Sequence, residues 1–141
     1  MIRVLLVDDH AAVRTGLAAL LDAIDDLTIV GTCADGAEVP DAAARLQPHV
    51  ILMDISMPSV GGIEATAQVL TVLPSVRVVM LTSAVAGRAV HESRAAGAVG
   101  YVLKHGSCEE IVEAVRTVAG GGTAWCPKAV EALRHAEPRT A

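Results

Sequence analysis

The sequence predicts an α/β fold, a doubly wound five-stranded parallel sheet of order 2-1-3-4-5 with helices on both faces. Three observations carry this. Short continuous apolar runs recur along the chain, as strands buried on both faces require. Stretches with helical spacing separate the runs, so strands and helices alternate. Right-handed crossovers between parallel strands then set helices on both faces of one sheet.

Taken in order, IRVLLV at 2–7 is the first strand. Val13, Leu17, Leu20, Leu21 and Ile24 recur at helical spacing and make the first helix. LTIVGTC at 27–33 is the second strand and HVILM at 49–53 the third. Between them, Asp35 is a cap candidate, but Pro40 lacks the N–H that a helix interior needs, so the second helix alternatively begins near Pro40. Ile63, Ala67 and Leu70 form a helical stripe closed by Pro74. VRVVML at 76–81 and VGYVL at 99–103 are the fourth and fifth strands. The helix between them, about 87–96, has Val90 as its one large apolar residue and is expected to be the most weakly packed element. Ser107 and Glu110 form a capping box for a last helix with Ile111, Val112, Val115 and Val118 on one face. Gly120–Gly122 stop it.

Bulk properties exclude several functions. At 141 residues the chain suits one domain rather than two. No apolar run approaches the roughly 18 residues of a membrane span, and MIRVLLVDD meets acid too soon for a secretory signal. A cytoplasmic protein without membrane contact is expected. Cys33, Cys108 and Cys126 are scattered, with no CxxC pair, and are read as reduced thiols. A net charge of −5, with Tyr101 and Trp125 the only aromatic residues, argues against nucleic-acid binding by this stretch. His10, His49, His91, His105 and His135 show no ligand spacing and are read as non-catalytic.

The chemistry lies at the strand ends. Strand 1 ends in Asp8-Asp9, strand 3 in Asp54, strand 4 in Thr82-Ser83, and strand 5 runs into Lys104. Open parallel sheets bind ligands outside the carboxyl ends where strand order reverses, here between strands 1 and 3. Three carboxylates converging there repel one another unless a hard cation joins them, and Mg²⁺ suits a few carboxylate oxygens with retained water. Three Asp are balanced by Mg²⁺ and Lys104. An incoming phosphoryl group would be stabilised by the same cations and the Thr82 hydroxyl. An ionised Asp is a competent nucleophile toward phosphorus.

LLVDDH, LMDISMPSVGGIEAT, LTS and GYVLK, in this order and spacing, resemble the receiver domains of bacterial two-component response regulators, over about residues 1–122. AAGAVGYVLKHGSCEEIVEAVR is most similar to the NarL/FixJ (LuxR-type) subfamily. The resemblance implies a flavodoxin-like receiver fold with Asp54 as phosphoacceptor and Thr82 and Lys104 as its catalytic helpers. Asp9 and Asp54 would hold Mg²⁺ directly, Asp8 through water, and the Ser56 backbone carbonyl would complete the set. A sensor histidine kinase would donate the phosphoryl group. Thr82 would then move toward it and Tyr101 would follow inward, altering the face of helix 4, strand 5 and helix 5. The chain departs from the usual pattern at His105, where many receivers have Pro, at Ser59-Val60-Gly61-Gly62, and at Pro40.

Residues 123–141 read as a linker: Trp125-Cys126-Pro127, a short helical stretch, and the polar end His135-Ala-Glu-Pro-Arg-Thr-Ala. By the resemblance, it would lead to a missing C-terminal helix-turn-helix domain that binds DNA, with homodimerisation on phosphorylation. The alternatives are a single-domain regulator acting by protein contact, or a Mg²⁺-dependent aspartyl-phosphate phosphatase of the haloacid-dehalogenase type. The phosphatase pattern needs an acid two residues after the nucleophile, and Asp54 is followed by Ile55-Ser56.

Overall fold

The computed structural model describes residues 1–135. The polar end beyond His135 lies outside the described residues. Strands β1 (Ile2–Val7), β2 (Leu27–Cys33), β3 (Val50–Asp54), β4 (Arg77–Thr82), β5 (Gly100–Leu103) and β6 (Ala124–Trp125) form one parallel sheet of order β2-β1-β3-β4-β5-β6. Helices α1 (Ala11–Asp22), α2 (Val39–Leu46), α3 (Gly62–Val72), α4 (Gly87–Ala96) and α5 (Cys108–Ala119) alternate with the first five strands, and α6 (Pro127–Arg134) follows β6.

Alternation along each strand divides the core into two. Leu5, Val7, Ile51, Met53, Val78, Met80 and Tyr101 face α2, α3 and α4, where Val39, Ala43, Ala65, Val69 and Val90 meet them. Val4, Leu6, Leu52, Val79, Leu81 and Val102 face the other way, toward Leu21 of α1 and Ile111, Val112, Val115 and Val118 of α5. The apolar runs are continuous because both faces of the strands are covered.

Several local expectations hold. Asp35 caps a single 3₁₀ turn, Gly36–Glu38, accepting from the Ala37 N–H, and the chain runs from it into α2 with Pro40 in the first turn. Ser107 Oγ accepts from the Glu110 N–H at the start of α5. Not anticipated from sequence, Gly97, at φ 112°, ends α4 in the left-handed region that glycine tolerates.

Others are corrected. The sheet has six strands rather than five. Beyond Gly122 the chain returns to the sheet edge, where the Cys126 N–H donates to the Tyr101 carbonyl at 3.0 Å. Residues 124–134, read as leading out of the domain, are therefore folded against it, and Ala129 of α6 is fully buried. Helix α4 is accordingly not left loosely packed. It lies between α3 and α6, with His91 Nε2 3.0 Å from the Ala132 carbonyl. On α3, Ile63 and Leu70 of the expected stripe pack partly buried against the core, but Ala67 is exposed and the fully buried side is Gly62, Ala65, Thr66 and Val69. The buried Thr66 hydroxyl is satisfied by the Gly62 carbonyl at 2.7 Å, which lets a polar residue occupy the core face. On α1, Leu21 is buried but Val13 and Leu20 are exposed.

Candidate functional site

The carboxyl ends of β1, β3, β4 and β5 lie side by side because the sheet pairs them in that sequence. Asp8 follows β1, and its N–H donates to the Cys33 carbonyl at 3.0 Å, continuing the β1–β2 ladder by one bond. Asp54 is the last residue of β3 and pairs with Leu81 of β4. The Lys104 N–H donates to the Thr82 carbonyl at 2.7 Å, which sets the lysine and the hydroxyl residue at the same height.

Lys104 Nζ lies 2.8 Å from Asp8 Oδ2 and 3.0 Å from Asp54 Oδ2. Asp8 is fully buried, and Asp54 and Lys104 nearly so. One ammonium thus bridges two desolvated carboxylates. Asp9 is partly exposed beside them, and Oδ1 of Asp9 is buried without a hydrogen-bond donor. Its neighbour is the exposed His10 ring, with Nδ1 at 3.2 Å.

The electrostatics record an excess of negative charge. Burial raises the Asp54 pKa above the ordinary carboxylate range; Lys104 opposes this, and Asp8 and Asp9 add to it. Burial acts to lower the Lys104 pKa, but the hydrogen bonds and charges of Asp8 and Asp54 raise it overall. Ligand atoms of Asp8, Asp9, His10 and Asp54 lie within 4.8 Å of one another. Oxygen donors, surplus negative charge and a buried carboxylate oxygen that accepts no hydrogen bond together fit a hard divalent cation.

Thr82 and Tyr101 meet at a different point. Thr82 Oγ1 donates to the Ala84 carbonyl at 3.1 Å, and the Tyr101 hydroxyl donates to the same carbonyl at 3.4 Å. Tyr101 is fully buried, so its ring is already inside, and the hydroxyl of Thr82 is engaged by the loop after β4 rather than by Asp54. Ser56, two residues after Asp54, is exposed in the loop between β3 and α3.

Three residues near the site were not singled out from sequence for what they do there. His10 was set aside, though its position beside Asp8-Asp9 was a signal. Arg14 Nη1 donates to the Asp8 carbonyl at 2.7 Å, and one helical turn separates it from His10. The Asp35 carboxylate reaches across to the Ser59 and Val60 amides, which no local pattern reveals.

A family model described as the response regulator receiver domain matches residues 4–116. The chain belongs to this family. Transcriptional regulatory protein LiaR of Bacillus subtilis (strain 168) is 44% identical to the receiver over 121 residues, 86% of this chain and 57% of LiaR. Response regulator protein VraR of Staphylococcus aureus is 38% identical over 134 residues, 95% of this chain and 64% of VraR. The receiver therefore spans about three fifths of the length of these curated relatives. The crystal structure of a LuxR-family two-component response regulator from Aurantimonas sp. SI85-9A1 matches with a TM-score of 0.88 at 30% identity, covering 94% of each chain. The fold and these relatives agree with the NarL/FixJ (LuxR-type) resemblance. No helix among the described residues is long and apolar enough to cross a membrane.

The surplus negative charge predicts stability changes of opposite sign. In metal-free buffer, Lys104→Met should destabilise the receiver by about 3 kcal/mol, because two buried carboxylates lose their shared cation. Asp54→Asn should leave stability unchanged or raise it, because it removes the repulsion and Asp8 still pairs with Lys104. Urea unfolding of the two variants measures both, and a large loss in Asp54→Asn would contradict the charge account.

Proposed function

We propose that this receiver accepts a phosphoryl group on Asp54, with Mg²⁺ held by Asp8, Asp9, Asp54 and the Ser56 carbonyl. The observation that carries the reading is Lys104 Nζ within 3.0 Å of both Asp8 and Asp54, in a cluster that still has more acid than base. A carboxylate oxygen of Asp54 forms the new bond to phosphorus. The bond from phosphorus to the donor breaks, and its electron pair leaves with the donor, which takes up a proton from solvent. For a sensor histidine kinase the leaving group is the imidazole of its phosphohistidine. Mg²⁺, when bound, supplies positive charge that offsets the repulsion between Asp54 and the phosphoryl oxygens. Lys104 remains charged throughout and pairs with the phosphoryl oxygens as they arrive.

Thr82 carries the signal onward in this reading. Its hydroxyl exchanges the Ala84 carbonyl for a phosphoryl oxygen, and the loop after β4 follows. Tyr101 shares that carbonyl and is joined through its own carbonyl to Cys126, so the change reaches β6 and α6. LiaR is by name a transcriptional regulatory protein and extends beyond the matched region. Control of a DNA-binding output domain, with homodimerisation on phosphorylation, is the role proposed for the whole protein.

Intact mass after incubation with acetyl phosphate tests the acceptor. The wild type should gain one phosphoryl group only when Mg²⁺ is present, and Asp54→Asn none; a Mg²⁺-dependent phosphoryl group on Asp54→Asn would overturn the assignment. A second measurement tests the relay. Thr82→Ala should still be phosphorylated, yet show no phosphorylation-dependent change in amide exchange across α4, Tyr101 and β6. The lost hydrogen bond to a charged group is worth roughly 1.5–3 kcal/mol, enough to remove a bias of a few kcal/mol. A wild-type exchange response in this variant would refute the relay.

A further inference from the structure

Asp35 lies at the end of β2, outside the acidic cluster, yet its carboxylate is fully engaged. Oδ2 accepts from the Ala37 N–H at 2.8 Å and the Val60 N–H at 3.1 Å, and Oδ1 accepts from the Ser59 N–H at 2.9 Å. The Gly36 N–H donates to the Val60 carbonyl at 3.1 Å, so the two loops are joined by bonds running in both directions. A Cβ at Gly36 would stand 2.3 Å from that carbonyl, which shows how closely the backbones approach.

The segment so held is the loop from Ile55 to Gly61, which joins the phosphoacceptor to α3. Its base is closed by the Gly62 N–H donating to the Ile55 carbonyl at 2.7 Å, and a Cβ at Gly62 would stand 2.0 Å from the Asp54 carbonyl. Ile55, Met57 and Val60 pack on the core, which holds the loop down without fixing where its carbonyls point. Hydrogen bonds set that orientation, and the Asp35 side chain supplies two of them, from the Ser59 and Val60 amides. Ser56 lies between the closed base and the Asp35 clamp.

We propose that Asp35 is a positioning residue for phosphorylation, holding the Ile55–Gly61 loop so that the Ser56 carbonyl faces the acidic cluster. This rests on the proposed Mg²⁺-dependent phosphorylation of Asp54. The role requires an anion with both oxygens free to accept, because amides arrive at both. The amides of Ala37 and Ser59 in fact hold the Asp35 carboxyl below the ordinary range, with Val60 adding to them and burial opposing. An Asn side chain of the same shape keeps one accepting oxygen and presents an NH₂ to the other donor.

Wild type, Asp35→Asn and Asp35→Ala are compared by amide exchange without metal and by calorimetric titration with Mg²⁺. In Asp35→Ala, exchange at Ser59 and Val60 should accelerate while that of Leu52 and Val79 in the sheet is unchanged. Mg²⁺ affinity should fall about tenfold or more, as for other residues that orient a metal ligand from behind. Asp35→Asn should fall between the two in both measurements. Wild-type Mg²⁺ affinity in Asp35→Ala, with or without faster exchange at Ser59 and Val60, would overturn the proposal and leave Asp35 a local fold stabiliser. Faster exchange throughout the sheet would overturn it too, since the effect would then be general unfolding. Absence of both Mg²⁺ binding and phosphorylation in the wild type would instead overturn the functional reading, and this inference with it.

Discussion

A single ammonium group lies between two buried carboxylates, and the architecture around it follows from that arrangement. Lys104, from the end of β5, reaches Asp8 at 2.8 Å and Asp54 at 3.0 Å at the ends of β1 and β3, neither of which pairs with β5. Such a bridge needs β1, β3, β4 and β5 to end at a common level. The parallel registers supply this, with Val7 opposite Met53, Asp54 opposite Leu81, and Thr82 opposite Leu103. Desolvating three charges for one salt-bridged cluster is costly, and with Asp9 added the charges do not balance. The fold therefore maintains a local electrostatic deficit, which is useful only where a cation or a reacting group relieves it.

The same backbone that builds the cluster connects it outward. The Lys104 N–H holds the Thr82 carbonyl, while the hydroxyls of Thr82 and Tyr101 both donate to Ala84. Tyr101 in turn pairs with Trp125, and its carbonyl accepts from the Cys126 N–H. Helix α6 begins at Pro127 and sits against α4, so the path from acidic cluster to α6 runs through hydrogen bonds and packed side chains. These contacts supply a physical route for coupling; a difference in energy between two arrangements of Thr82 would be what drives it.

Much of this was legible in sequence, for physical reasons. Strands covered on both faces must be apolar throughout, so IRVLLV and VILM announced themselves, and Ser107 before Glu110 marked a helix start from local hydrogen bonding alone. The strand-end acids, Thr82 and Lys104 could be read because topology turns chain order into neighbourhood. What escaped depended on distant partners. Strand β6 has two residues, too few to show any period, and exists because the Val99 carbonyl accepts the Ala124 amide and the Tyr101 carbonyl accepts the Cys126 amide just beyond it. The buried side of α3 includes Thr66, whose hydroxyl is silent to a hydrophobic pattern until its bond to Gly62 is seen. Val13 and Leu20 look like core residues and are exposed. The clamp from Asp35 to Ser59 and Val60 spans 24 and 25 positions, beyond any local motif.

The acidic cluster is short of positive charge, and a divalent cation is proposed to complete it. Calorimetric titration of the unphosphorylated protein with Mg²⁺, alongside Asp9→Asn, addresses it directly. One binding site is expected in the wild type and an affinity at least about tenfold weaker in Asp9→Asn, since Asp9 Oδ1 is a buried carboxylate oxygen that accepts no hydrogen bond and has no lysine against it. Equal affinity in the two proteins, or no binding to the wild type, would contradict it.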